Sequence, residues 1–212
     1  MKRYEFELPS IDTDKFIYKP IRRKEDIINL LMNSVKLILQ NNIYQEEILE
    51  PSGKMVLIIS KMSRLFYFLN SGEKYFSINF PFTVIEKDDK LSFSSKYIDE
   101  IDTKICFDIL SLLSCNQGEE STCVTDILEP LTDENDYHED IGTLVKELLF
   151  MEDGYIRYDY DFEHQNGNLH PLNHFDLCYS NKVNFKIGLN SRIDYEFFID
   201  LLKLETDCKY IN

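Results

Sequence analysis

Five short runs of strand-forming residues between positions 54 and 94 constrain the fold more than any other feature. Each run is rich in aromatic and β-branched side chains, and turn-forming residues such as Pro81 and the pair Asp88–Asp89 separate them. The runs read KMVLIIS, RLFYFLN, YFSINF, FTVIEK and KLSFSS. Strands joined by such short connections pair as antiparallel neighbours. The segment therefore predicts an antiparallel meander, in which residues 86–90 form the clearest hairpin.

Apolar residues with helical spacing lie on both sides of this segment. They predict helices near residues 23–41, 97–114, 141–151 and 194–205. Asp140 and Asp194 are the predicted N-caps of the last two helices. Alternating apolar and polar residues predict further strands at 155–160, 175–179 and 183–189.

The expected fold class follows from these elements. It is α+β, with a mainly antiparallel sheet flanked by about four helices. The 212 residues fit one domain over 1–212 or two small lobes.

The net charge of −15 is unevenly distributed along the chain. Residues 105–145 contain 10 acidic side chains and no Lys or Arg. The stretch 116–140 is therefore predicted to be a loop or a boundary between lobes, and a surface for a protein partner with a basic face. So acidic a protein is not expected to bind duplex nucleic acid through broad phosphate neutralisation. Nucleic acid is expected only as a local contact, at the basic residues 22–24.

The sequence disfavours secretion, a membrane span, a disulfide framework and a thiolate zinc site. The N-terminus lacks the apolar run of a secretory signal, and no segment approaches the roughly 20 apolar residues of a membrane span, so a cytoplasmic location without membrane contact is expected. Five cysteines form an odd set without a C-x-x-C pair, which favours neither a disulfide framework nor a thiolate zinc site.

The stretch Gly154–Asp176 contains the largest group of side chains that can exchange protons, bind a metal or bind a phosphate. It includes three of the chain's four histidines. If 155–160 is a strand, Arg157 and Asp159 share a face, because side chains two apart point the same way. The next strand places His174 and Asp176 on one face by the same rule. The candidate catalytic residues are Arg157, Asp159, His164, His170, His174 and Asp176.

Two chemistries and one structural alternative fit this set. Imidazole and carboxylate groups are ligands for a divalent metal, and a histidine base beside an arginine phosphate clamp is typical of phosphoryl chemistry. No spacing in the set matches a known metal or hydrolase signature, and the chain has no glycine-rich phosphate loop. The alternative is a polar turn in which the histidines satisfy backbone groups. The metal question therefore stays open at the level of sequence.

The order of motifs in the C-terminal part carries a resemblance. R-Y-D at 157–159 is followed by H-P-x-x-H-F at 170–175 and by F-F-I-D-L-L at 197–202. This order resembles an uncharacterised bacterial family known only as a domain of unknown function. The R-Y-D followed by histidines also resembles small proteins of toxin–antitoxin pairs. The resemblance implies a role in a prokaryotic toxin–antitoxin or anti-phage defence module.

Two functions from different classes follow as expectations. The first is a component of such a module that hydrolyses nucleic acid or nucleotides through the His/Arg/Asp cluster. The alternative is a non-catalytic acidic subunit that binds a partner in a larger defence or effector complex.

Overall fold

The structure is a computed structural model of the 212-residue chain. It describes residues 1–9, 17, 20–42, 51–69, 72–115, 139–180 and 182–210. The chain divides into two compact units. The first comprises Met1–Arg22, Ile48–Phe80 and Asp153–Asn212, and the second comprises Arg23–Glu47 and Pro81–Glu152.

The described residues form nine strands and four helices. The strands are β1 (Lys2–Pro9), β2 (Pro51–Ile59), β3 (Arg64–Leu69), β4 (Lys74–Asn79), β5 (Thr83–Lys87), β6 (Lys90–Ser94), β7 (Ile156–Tyr160), β8 (Asn173–Asp176) and β9 (Lys186–Gly188). The helices are α1 (Lys24–Asn41), α2 (Thr103–Cys115), α3 (Glu139–Phe150) and α4 (Tyr195–Leu201). The predicted α+β class is thereby confirmed.

The first unit is built on a seven-stranded sheet in the order β1-β2-β3-β4-β7-β8-β9. Every neighbouring pair is antiparallel. The interior strand β3 is buried along its whole length, which explains why its sequence RLFYFL is nearly continuous in apolar residues. The edge strand β1 instead alternates charged residues with buried ones.

Helix α4 packs on one face of this sheet through Phe198. The buried Phe198 ring lies edge-on to the rings of Phe66 and Phe68, at centroid distances of 6.1 and 6.5 Å. It also packs against Tyr75 and Phe175, at 5.9 and 6.2 Å. The helix begins where predicted, because the Asp194 side chain accepts a hydrogen bond of 2.7 Å from the backbone N–H of Phe197. Its aromatic contacts fix one face of the sheet as apolar core.

The second unit contains α1, α2, α3 and the β5–β6 hairpin. The hairpin turns at Asp88 and Asp89, whose φ angles of 52° and 58° suit a two-residue turn between twisted strands. The predicted hairpin at 86–90 is thus confirmed. The meander itself is divided, because β2, β3 and β4 belong to the seven-stranded sheet and β5 and β6 form a separate one.

Several predicted helix limits are corrected. The helix predicted near 97–114 begins only at Thr103, because the Asp102 carboxylate accepts the backbone N–H of Ile105 at 2.8 Å and caps the first turn. The helix predicted to span 194–205 ends at Leu201. Asp140 is not an N-cap, since α3 already includes Glu139. None of the helices in the described part of the chain is both long and apolar enough to cross a bilayer.

Replacing Phe198 with alanine is expected to destabilise the protein by about 3–5 kcal/mol, because it empties a fully buried aromatic site. The neighbouring Phe197 is 38% exposed, so Phe197→Ala is a matched control with an expected loss below about 1 kcal/mol. Urea unfolding followed by circular dichroism measures both values. Equal losses for the two variants would contradict the packing described for α4.

Candidate functional site

The register between β7 and β8 brings four of the candidate residues together. Arg157 lies opposite Asp176, and Asp159 lies opposite His174. Residues directly opposite in an antiparallel pair project from the same face with Cβ atoms about 5 Å apart. Within each strand the alternating sequence also predicts the shared face, of Arg157 with Asp159 and of His174 with Asp176.

A buried arginine fixes the loop that leads into β7. Arg64 donates from Nε to Ser77 Oγ at 2.9 Å and from Nη2 to the carbonyl oxygen of Gly154. Burial lowers the pKa of Arg64 to about 10, which still leaves the guanidinium charged at neutral pH. Gly154 has a φ of 56°, and a Cβ there would lie 2.9 Å from Arg64 Nη1. The position therefore favours glycine, and it lies just before the strand that carries Arg157.

Ion pairs and hydrogen bonds connect these residues to a lysine from β9. Arg157 Nε contacts Asp159 Oδ2 at 2.7 Å, and Arg157 Nη2 bonds to Asp176 Oδ2. Lys186 lies opposite Asp176 in the register, and its Nζ is 3.0 Å from Asp176 Oδ1. The same ammonium lies 2.7 Å from His174 Nε2. These five residues, Arg157, Asp159, His174, Asp176 and Lys186, are called the inner cluster below.

His174 is held in one tautomer. Its ring is fully buried, and Nδ1 lies 2.7 Å from the carbonyl oxygen of Pro171, which only accepts hydrogen bonds. The proton is therefore on Nδ1, and Nε2 presents its lone pair to Lys186. Burial lowers the pKa of His174, and the Lys186 charge adds to this effect against the opposing influence of the carbonyl oxygen and the carboxylates. His174 is consequently neutral at pH 7.

The buried carboxylate of Asp176 depends on its cations. Burial alone would raise its pKa, but Arg157 and Lys186 outweigh burial and hold the pKa below its ordinary value. Lys74 on β4 lies opposite Asp159 and extends this polar region. Its pKa is lowered, first by burial and then by the Arg157 charge. Three cationic side chains thus accompany the carboxylates of Asp159 and Asp176.

Asp161, His164 and His170, in the loop between β7 and β8, form an outer group. His164 Nδ1 lies 2.9 Å from Asp161 Oδ1, and His170 Nε2 lies 3.1 Å from Asp161 Oδ2 without making a hydrogen bond. The hydrogen bond to Asp161 raises the pKa of the exposed His164. Burial would raise the pKa of Asp161, but its bonds to His164 lower it overall.

The two groups meet through a ring contact. The His170 and His174 rings are perpendicular, with centroids 4.8 Å apart. All six candidate residues therefore belong to one continuous series of contacts, from exposed His164 to buried Asp176.

The sequence reasoning missed three charged side chains in this region, Lys74, Asp161 and Lys186. The alternation over 183–189 carried a signal for Lys186, since every second residue of a strand beside β8 faces the same way. Which of the two faces Lys186 takes depends on the register, and the pattern alone leaves that open. Asp161 was within the loop already singled out, three residues before His164.

The predictions for the acidic stretch 116–140 and for the basic residues 22–24 stay predictions. Residues 116–138, most of the acidic stretch, lie outside the described residues. At the basic residues 22–24, Lys24 donates a hydrogen bond to the carbonyl oxygen of Met151. A local nucleic-acid contact there stays a prediction.

Comparisons with protein-family models, with curated proteins and with solved structures gave no match. The resemblance carried by residues 157–202 therefore stays a prediction.

The protein is expected to lose stability as the pH falls below 6.5, partly through His174. The pKa of its folded state lies below the ordinary value of 6.5, so the unfolded chain binds its proton first and protonation favours unfolding. Replacing His174 with glutamine removes this contribution, so stability should fall less steeply between pH 7 and pH 5. Urea midpoints across that range measure the slope.

His164 supplies a control of opposite sign for this experiment. Its pKa is raised in the folded state, so its contribution is present at low pH and is lost as the pH rises through the folded pKa. Replacing His164 with glutamine should therefore steepen the loss of stability on acidification. Slopes that change in the same direction for both variants would contradict the described environments.

Proposed function

We propose that this chain hydrolyses a phosphodiester or phosphoanhydride bond in nucleic acid or nucleotides, at the inner cluster and outer group. The observation that supports this most directly is a pair of partly exposed cations, Arg157 and Lys186, beside histidine–carboxylate pairs. Arginine and lysine side chains held in this way bind the oxygens of a phosphate group.

Arg157 and Lys186 are the residues proposed to contact the phosphate. Their side chains are 22% and 28% exposed, so both reach the solvent from an otherwise buried region. Arg157 is already oriented by Asp159 and Asp176, and its raised pKa keeps it charged: burial opposes this, but Tyr155 and the two carboxylates outweigh burial. A planar guanidinium held in this way is suited to a phosphate oxygen.

His170 is the proposed proton acceptor for the attacking water. His174 is fully buried and its Nε2 faces Lys186, whereas the His170 side chain is 27% exposed. Asp161 lies 3.1 Å from His170 Nε2 and would orient the ring, in the manner of a carboxylate that supports a histidine base. Such contacts commonly close into full hydrogen bonds only when the substrate is bound.

The biological setting belongs to the same proposal. The motif order over 157–202 supports a component of a bacterial toxin–antitoxin or anti-phage defence module, acting in the cytoplasm. The setting and the chemistry are separable, because the first depends on the resemblance and the second on the site.

Replacing His170 with asparagine should lower the hydrolytic rate by about 10²–10⁴-fold, the usual contribution of a general base. The assay measures release of product from bis(p-nitrophenyl) phosphate, single-stranded RNA, duplex DNA and nucleoside triphosphates, with and without added Mn²⁺. Gln165→Ala is the control, since Gln165 is exposed in the same loop and lies outside the proposed site. A wild-type protein inactive on every substrate, or a fully active His170→Asn variant, would overturn the proposal.

We also propose that the acidic stretch 116–140 binds a protein partner with a basic surface. The stretch carries most of the acidic side chains of the 105–145 region, which has no Lys or Arg to offset them. At its end, Glu139 and Asp140 are exposed in the first turn of α3. Such a contact would depend on charge complementarity and would be screened by salt.

Neutralising the acidic side chains near the end of the stretch should abolish association with this partner. The variant replaces Asp133, Glu134, Asp136, Glu139 and Asp140 with the corresponding amides. Co-purification from the native host at about 0.05 and 0.5 M salt measures the association, which should weaken at the higher salt. Binding of the same partner by both proteins at both salt concentrations would contradict this assignment.

A further inference from the structure

We infer that Asp159, His174 and Asp176 form a binding site for one first-row divalent cation, Mn²⁺ or Zn²⁺, and that the Lys186 ammonium occupies this position when the metal is absent. The binding site is argued from the contacts of these residues alone. The use of the metal in catalysis rests on the proposed function.

The three side chains can offer ligand atoms to one point. One imidazole nitrogen and one oxygen from each carboxylate lie within 4.8 Å of one another. In the ion-pair geometry, His174 Nε2 is 3.7 Å from Asp159 Oδ2. Two ligand atoms that each lie about 2.0–2.2 Å from a shared metal are at most about 4.4 Å apart. The 3.7 Å pair already fits this limit, and the widest pairs of the set must draw closer when a metal binds. A mixed set of one nitrogen and two carboxylate oxygens suits Mn²⁺ or Zn²⁺ better than an alkaline-earth ion.

His174 is already oriented as a metal-binding histidine. Its Nδ1–H donates to the Pro171 carbonyl oxygen, and this bond directs the unprotonated Nε2 into the cluster. A backbone carbonyl on the far nitrogen is a common support for a metal-bound imidazole. Pro171 in turn packs on Gly188, where a Cβ would lie 2.9 Å from Pro171 Cγ. Gly188 lies opposite His174 in the register, so this close packing holds the supporting carbonyl beside the ring.

Lys186 marks the position as one that attracts a cation. Its Nζ is 2.7 Å from His174 Nε2 and 3.0 Å from Asp176 Oδ1, so it uses two of the three ligand groups. The single lone pair of His174 Nε2 cannot bind an ammonium and a metal ion at the same time. The Lys186 side chain is 28% exposed and lies on an edge strand, so it can move into solvent when a metal takes its place.

The contacts of Arg157 are compatible with a bound metal. Arg157 binds Asp159 Oδ2 and Asp176 Oδ2, whereas Asp176 Oδ1 is taken by Lys186. Each carboxylate oxygen has two lone pairs, so the guanidinium can remain bound to both carboxylates beside a metal. The positive charge of Lys186 opposes metal binding both by occupying the ligands and by Coulomb repulsion.

Isothermal titration of the 212-residue protein with MnCl₂ and with ZnCl₂ tests the inference. The wild type should bind one ion per chain. Lys186→Met keeps a side chain of similar length but removes the charge, and should bind at least about tenfold more tightly. His174→Gln removes the nitrogen ligand and should weaken binding by at least about 100-fold. Gln165→Ala, in the exposed loop, is the control and should match the wild type.

Equal affinities for the wild type and Lys186→Met, or retention of the bound ion by His174→Gln, would overturn the inference. If His174→Gln does not fold, the comparison with Lys186→Met decides alone, because it replaces a partly exposed side chain. Absence of binding to both the wild type and Lys186→Met also overturns it. A site that binds metal in a protein without hydrolytic activity would sustain the metal inference and refute the proposed function. Hydrolysis that is insensitive to a chelator, in a protein that binds no metal, would sustain the proposed function and refute the metal inference.

Discussion

The inner cluster depends on the ion pairs that surround the buried carboxylate of Asp176. A buried carboxylate is costly unless cations and hydrogen-bond donors surround it, and removing one partner costs more than the pair contributes. Arg157 from β7 and Lys186 from β9 meet this need from the two strands that flank β8. A register shift of one residue in either strand would move its cation to the other face of the sheet. The electrostatics of one side chain therefore specify the pairing of three strands.

The two faces of strands β7 and β8 are specified by different physics. On one face, Tyr158 and Phe175 pack with Phe198 of α4, and the contacts are non-directional and tolerant of small shifts. On the other face of the same two strands, Arg157, Asp159, His174 and Asp176 require fixed distances and orientations. In these two strands the packing of the apolar face stabilises the fold, and the polar face holds charges in a partly buried site. This difference between the two faces follows from the two-residue period of the strands.

The sequence predicted local features well and long-range ones poorly. Alternation correctly placed Arg157 beside Asp159 and His174 beside Asp176, because side-chain direction within a strand is a local property. The capping role of Asp194 was equally local and was predicted. The start of α2 was not, since Ile98 and Ile101 are buried outside the helix and mimic its spacing. The part of Lys186 in the site depends on which strands pair and in which register, information that no single segment contains.

The shortness of β9 has a consequence for how the cluster can be reached. Strand β9 has only three residues in register with β8 and lies at the edge of the sheet, whereas β2 and β3 are joined by six such pairs. Local opening of an element costs a free energy that grows with the contacts it breaks, so β9 can detach in a fluctuation far smaller than global unfolding. Each such event would carry Lys186 away and expose His174 and Asp176 to solvent, together with the part of the apolar cluster that Ile187 covers. Opening of the short edge strand β9 would thus give solvent and ions a route to the buried side chains of His174 and Asp176.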